Sequence, residues 1–339
     1  MTTSGDQTTR RWSDVLMPRT FTLWTMVLGI ASVISQVGII VTGGAVRLTA
    51  SGLGCSEWPR CTPESYVATP EMGINGAIEF GNRLLTFVLA AIAVLTILAL
   101  WRVRKTHRNL VIMSIVLLFG IPGQAVIGGI TVWTDLNPWI VMLHFLLSAG
   151  MVSIAALLAH RIGAERRARI TRTPAVKLQD GASTKLTSIS AVVVYIAGWF
   201  TLIFGTIVTG SGPHGGDPSA PRHDFDPLIV TRFHTAPVYL MTLMALILLV
   251  VMYRINTSQR QRRAVWGFTA VLVFQALVGF YQHFNGLPIA VVLLHMLGTG
   301  LVAWMMTIVL DVFNSKYATR PTETELPTGD AAPEQLTNA

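Results

Sequence analysis

The chain has 339 residues, 52% of them hydrophobic and only 12% charged, with a mean hydropathy of +0.56. A water-soluble domain carries roughly twice that charged share, so an ordinary soluble fold is excluded. The net charge of +8 invites a nucleic-acid reading, but the placement of the basic residues argues for a lipid bilayer and no nucleic acid.

Eight apolar runs are long enough to cross a bilayer core, which takes about 20 helical residues. They are 21–42, 78–101, 110–132, 139–160, 188–209, 231–252, 264–283 and 289–313. Pro18, Pro138 and Pro288 stand just before runs, where proline is tolerated. Pro122 and Pro237 fall inside runs, where neighbouring helices must satisfy the freed carbonyls. Of the 25 Lys and Arg, 20 lie in the N-terminal arm, the loops around 102–108, 161–185 and 254–263, and the C-terminal tail. The alternate loops hold only Arg47, Arg60, Arg83, Arg222 and Arg232. That asymmetry predicts a multi-pass protein of the cell membrane with both termini cytoplasmic. Arg10-Arg11 then reads as a topology flank, because the following run is too long for an export signal and lacks a small-residue cleavage site.

Taken in order, residues 1–20 form a polar, basic cytoplasmic arm. The first span ends in IVTGGAVR, residues 40–47, and opens into a long outer loop carrying Cys55, Trp58, Pro59, Cys61 and Pro63. The outer side of a membrane is oxidising, which favours a Cys55–Cys61 disulfide over two separate thiols. The second span opens with IEFGNRLL, residues 78–85, and its Glu79 is an acid at the mouth of an apolar helix. The third and fourth spans join through Trp133, Asp135 and Pro138, and His144 follows. A basic stretch, 161–187, reads as a cytoplasmic linker between halves. The fifth span ends in IVTGSGP, residues 207–213; the next outer loop holds His214, Asp217, His223, Asp224 and Asp226. The sixth span opens with TRFHTAP, the seventh and eighth close on His295, and 314–339 is a Thr-, Pro- and Glu-rich tail expected to be disordered.

The order of features repeats. Gln124 to His144 and Gln275 to His295 are both 20 residues, each running apolar helix, polar break, proline, apolar helix, histidine. Both pairs are offset by 151 residues, Asn82 and His234 by 152, and the two IVTG segments by 167. The expected fold is an all-α integral membrane protein of eight transmembrane helices, in two pseudo-repeated four-helix bundles, 21–160 and 188–313. Four spans per half make them parallel repeats about an axis along the membrane normal.

Three histidines fall within apolar helices, where an ionisable side chain is costly and marks either function or an interhelical hydrogen bond. His144, His234 and His295 each lie within about two turns of the outer helix end, roughly 6–10 Å below the surface at the helical rise. His234 and His295 are expected to face one another at one depth, as two axial ligands of a haem require. Zinc would want three or four ligands. In the first half, His144 pairs with Asn82 where the second half has His234; asparagine is a weak or substitute ligand, which leaves one strong axial position. This suggests an electron-transfer haem in the second half and a reacting one in the first. Glu79 shares a helix face with Asn82 and is placed to pass protons, with a solvated helix-start carboxylate as the alternative. Arg47, Arg83 and Arg232 are candidates for haem propionates or for interface anchoring. His214, His223 and Asp224 read as solvated, His107 and His160 as flanking residues, and His283 lacks a repeat mate.

Taken together, the eight spans in two halves, the cysteine pair in the first outer loop, I-E-F-x-x-R at 78–83 and the histidines of the fourth, sixth and eighth spans resemble the haem A synthase family over about residues 20–313. The resemblance implies oxidation of the C8 methyl of haem O, in two hydroxylations, to the formyl group of haem A for terminal oxidases. It implies Glu79 as the essential carboxylate, His234 and His295 as ligands of a bound haem b, and His144 as a ligand of the substrate haem. Cys55 and Cys61 match the family's cysteine pair, structural or thiol-relaying. Haem O synthase is the implied partner, beside an electron donor the residues do not define. Many members carry histidine at the position of Asn82; either the substrate haem is held here through His144 alone or another group serves in its place. Rival readings are a membrane cytochrome b that only relays electrons, which predicts histidine at position 82; a prenyltransferase, which needs a D-x-x-x-D motif the chain lacks; and a transporter, which predicts no haem.

Overall fold

In the computed structural model, residues 12–171 and 183–314 are described; the first eleven residues, the middle of the expected linker and the expected disordered tail fall outside them. The described residues contain nine α-helices and no strand. A short α1 (Trp12–Leu16) precedes eight long helices: α2 (Leu23–Leu48), α3 (Gly73–Leu100), α4 (Arg108–Trp133), α5 (Pro138–Thr171), α6 (Lys185–Ser211), α7 (Pro227–Arg254), α8 (Gln259–Phe284) and α9 (Ile289–Asn314). Each of the eight is long and apolar enough to cross a membrane. This is a multi-pass membrane protein, and the all-helical fold is as the sequence predicts.

Helix starts follow local chemistry. Asp226 Oδ1 accepts from the N–H groups of Leu228 and Ile229 at 2.7 and 3.4 Å, and Pro227 occupies the first helical position of α7. Ser258 and Gln261 form a reciprocal capping box at the start of α8, with bonds of 3.2 and 2.8 Å. Two helices run furthest beyond their apolar stretches. α2 extends to Leu48 because Arg47 is satisfied from the other half, as described below. α5 continues through the charged residues 161–171 because partners meet them: Arg161 pairs with Asp311 at 3.0 Å, Glu165 with His107 at 3.4 Å, and Arg169 donates to the Phe21 carbonyl at 3.2 Å. His107 is accordingly buried and His160 half-buried in these contacts rather than flanking.

Helices α2 to α5 close one ring of neighbours, α6 to α9 a second, and α2 and α5 pack on α9 between them. Within each bundle, the helix carrying residue 82 or 234 lies diagonally across from the one carrying His144 or His295. The two hairpin turns agree residue by residue. Asp135-Leu136 and Gly286-Leu287 all have positive φ, at 51°, 60°, 71° and 57°. Leu136 N–H donates to the Thr131 carbonyl at 2.7 Å, and Leu287 N–H to that of Gln282 at 3.0 Å. Leu136 tolerates this sparsely populated backbone because its side chain is buried against Gly52 and Gly216 of two loops.

Candidate functional site

The histidines converge at the end of the bundles that bears the cysteine loop. The rings of His234 and His295 stand 6.3 Å apart between centroids, inclined at 74°. One metal gripped from both sides needs about 2 Å per metal–nitrogen bond plus roughly 1 Å from each nitrogen to its ring centre, about 6 Å in all. Nδ1 of His234 lies 2.9 Å from the Thr201 carbonyl, to which only an N–H can donate, so Nε2 keeps its lone pair as a ligand does. The donor set and its spacing therefore fit a haem held by two imidazoles.

The surroundings of His144 and His295 are the same. Gln124 Nε2 donates to the His144 carbonyl at 3.2 Å, and Gln275 Nε2 to the His295 carbonyl at 3.1 Å. Ser148 Oγ and Thr299 Oγ1 donate to those same carbonyls at 3.1 and 3.0 Å. Gly128 and Gly279 lie beside the rings: a Cβ there would come 3.4 Å from His144 Cε1 and 3.6 Å from His295 Cε1. The Nδ1 atoms of both histidines are buried with no hydrogen-bond partner. The backbone at both histidines is thus held in the same way, and each ring keeps a nitrogen without a protein partner.

The halves diverge at position 82. Asn82 Oδ1 accepts from Thr42 Oγ1 at 2.7 Å, which uses one of its two lone pairs and ties the side chain to α2. Thr42 Oγ1 also lies 3.2 Å from the Gly38 carbonyl, the same back-bond that its repeat counterpart Thr209 makes to Gly205 at 2.7 Å, so the contact to residue 82 is what differs.

Glu79 is 6% exposed, not solvated. Its Oε2 accepts the Cys55 N–H at 2.7 Å, and its Oε1 accepts from Nε and Nη2 of Arg83. Arg83 also donates to the carbonyls of Glu57 and Arg60. Cys55 and Cys61 are joined by a disulfide, as expected, and both are fully buried. Trp58, inside that loop, stacks edge-on against Trp133 at 5.3 Å and covers Gly129 of α4, where any side chain would collide with the indole. The loop is pinned over the first bundle through Glu79, Arg83 and Trp58.

The three arginines proposed for propionates separate. Arg47 crosses between halves, donating from Nε to the His214 carbonyl at 2.7 Å and from Nη2 to the Thr209 carbonyl at 2.9 Å. Arg83 is held as above. Arg232 is exposed, two residues before His234.

His223 is the residue the sequence misplaces. It is 6% exposed, packs edge-on to Trp139 at 4.4 Å and covers Gly210, so it joins α5 of the first half to α6 of the second. Burial and the nearby Arg47 charge lower its pKa below the ordinary 6.5. His214 lies 3.2 Å from the Leu287 carbonyl, while Asp224 and His283 are exposed. Among the described residues no group of three or more His, Cys, Asp or Glu could hold a bare metal ion.

The COX15-CtaA family, described as cytochrome oxidase assembly protein, matches residues 22–214, more than half of the chain. A Heme A synthase from Alkalihalophilus pseudofirmus is 26% identical over 269 residues, 77% of this chain and 86% of the relative. One from Listeria monocytogenes is 25% identical over 76% of this chain and 86% of the relative. Another, from Lysinibacillus sphaericus, is 34% identical over 135 residues, and there the chain spans only 41% of the relative's length. With the helical pair of bundles, the disulfide and the family match in agreement, this chain belongs to the COX15-CtaA family of cytochrome oxidase assembly proteins.

Proposed function

We propose that the protein is a haem A synthase, a membrane oxidoreductase that converts the C8 methyl of haem O to the formyl group of haem A. The observation that carries this reading is the 6.3 Å separation of His234 and His295, with Gln275 and Gly279 around His295 repeated as Gln124 and Gly128 around His144. Haem b, when bound by His234 and His295, supplies one-electron transfer. The first half, 21–160, takes haem O at His144, and the second, 188–313, holds haem b. Arg232, exposed above His234, is the arginine free to meet a propionate at the surface.

Two hydroxylations of a methyl group give a geminal diol, which loses water to become an aldehyde. That loss needs a proton removed from one hydroxyl and one supplied to the other. Glu79 is the carboxylate assigned to carry it, through Oε1 and Oε2, and the Cys55 N–H and Arg83 keep both oxygens in place. Asn82, a weak ligand by its chemistry and tied to Thr42, leaves His144 as the one strong ligand of the substrate. An open position is what oxygen activation requires, whereas the paired imidazoles of the second half suit electron transfer. The family description and the relatives' names support haem O as substrate. Haem O synthase is the supplying partner, and the electron donor is a separate molecule. The distribution of Lys and Arg supports a cell-membrane location with both termini cytoplasmic and the histidines near the outer face.

The test is pigment extraction from the purified protein expressed with a haem O supply. Haem A or its hydroxymethyl precursor is expected; haem b alone would favour an electron-transfer cytochrome instead.

A further inference from the structure

At the end opposite the histidines, the two halves part around a cavity of about 480 Å³ formed by α5, α8 and α9. Arg167 of the first half and Arg260 and Arg263 of the second line it together with His160. Arg167 and Arg263 are exposed to it and act on each other as like charges from opposite halves. The nearby carboxylate of Asp311 is already shared: it pairs with Arg161 at 3.0 Å and lies 3.7 Å from His160 and 3.8 Å from Arg260. Arg260 Nε also donates to His160 Nε2 at 2.7 Å. The first turn of α8, at Gln259 and Arg260, adds the positive end of a 26-residue helix. The remaining wall is apolar, from Trp304, Met305 and Ile308 of α9.

Like charges held together across an interface are unfavourable unless an anion joins them. The cations alone would suit any phosphate, but the apolar wall continues the cavity into the bilayer-spanning part of α9. Basic pockets of this kind between membrane helices suit anionic lipid headgroups. We propose that this cavity seats the phosphate headgroup of an anionic phospholipid on Arg167 and Arg263, with its acyl chains along Trp304, Met305 and Ile308, and that the lipid ties the two halves together. The assignment is independent of the haem reading.

The test uses the full chain in detergent, followed by native mass spectrometry and thermal melting, with phosphatidylglycerol, phosphatidylcholine or inorganic phosphate added. One retained phosphatidylglycerol is expected, preferred about tenfold over phosphatidylcholine, with a rise in melting temperature that phosphate does not reproduce. The Arg167→Gln/Arg263→Gln variant loses the preference and the rise. Arg167→Lys/Arg263→Lys, which keeps the charge, retains most of both and serves if the glutamine variant does not fold. Equal retention of the two lipids by the wild type, or undiminished phosphatidylglycerol binding in the glutamine variant, overturns the proposal. Equal stabilisation by inorganic phosphate overturns the lipid assignment in favour of a soluble anion.

Discussion

The backbone N–H of Cys55 donates to Oε2 of Glu79 across 2.7 Å, so the disulfide loop and the helix that carries Asn82 share one buried carboxylate. The other oxygen takes the Arg83 guanidinium, which in turn grips the loop at the carbonyls of Glu57 and Arg60. Glu79 therefore carries a structural demand beside the proposed chemical one, and substitutions can part the two.

Glu79→Gln keeps an oxygen for the Cys55 N–H but removes the charge; haem retention should persist and turnover should vanish. Glu79→Ala leaves the Arg83 charge and the Cys55 N–H without their partner and should lose stability as well, by about 3 kcal/mol. Melting curves beside product assays read the two effects separately. Full activity in the glutamine variant would return Glu79 to a purely structural role.

The disulfide closes a loop six residues apart in sequence, which limits its stabilisation to about 2 kcal/mol. Cys55→Ser/Cys61→Ser should lower the melting temperature and leave the second-half haem spectrum unchanged, because the loop is pinned to the first bundle. A lost haem b spectrum in that variant would show that the halves are not separable in this way.

Gly205 and its repeat counterpart Gly38 give a matched pair of tests. A Cβ on Gly205 would come 3.0 Å from His234 Cε1 and 3.2 Å from its Nδ1, whereas nothing lies within 4 Å at Gly38. Gly205→Ala should displace the ring from Thr201 and reduce the haem retained on purification. Gly38→Ala should be silent in the spectrum, with a stability gain of up to about 1 kcal/mol from helix propensity. Equal haem content in both variants would detach His234 from haem binding.

His223 predicts a pH dependence between the halves. Its pKa in the folded protein lies below 6.5, so the folded state takes up its proton less readily than the unfolded one. The stability this neutral ring contributes is present above about pH 6.5 and is lost as the pH falls from there through the folded-state pKa. Thermal melting from pH 8 to pH 5 should show the decline, and His223→Gln should flatten it. An unchanged slope in that variant would assign the acid sensitivity elsewhere.

The spans, the repeat and the three membrane histidines are legible in the sequence because each leaves a local trace: a long apolar run, a constant offset, an ionisable residue inside it. Gln124 and Gln275 carried the repeat in sequence before their bonds to His144 and His295 gave it a cause. The helical continuation of α5 past residue 160 is hidden, since it depends on Asp311, His107 and Phe21 from distant segments. His223 looks like a loop residue in water because the Trp139 and Gly210 that bury it lie 84 and 13 residues away. Arg83 looks like a free cation for a propionate because its partners include backbone carbonyls, which leave no mark in a sequence.

The most direct measurement is the absorption spectrum of the purified protein with its three histidines replaced one at a time. A low-spin haem b signal that survives His144→Ala and disappears in both His234→Ala and His295→Ala is the predicted result. Survival in either of the latter, loss in the former, or a protein that stays colourless when haem is supplied would contradict it.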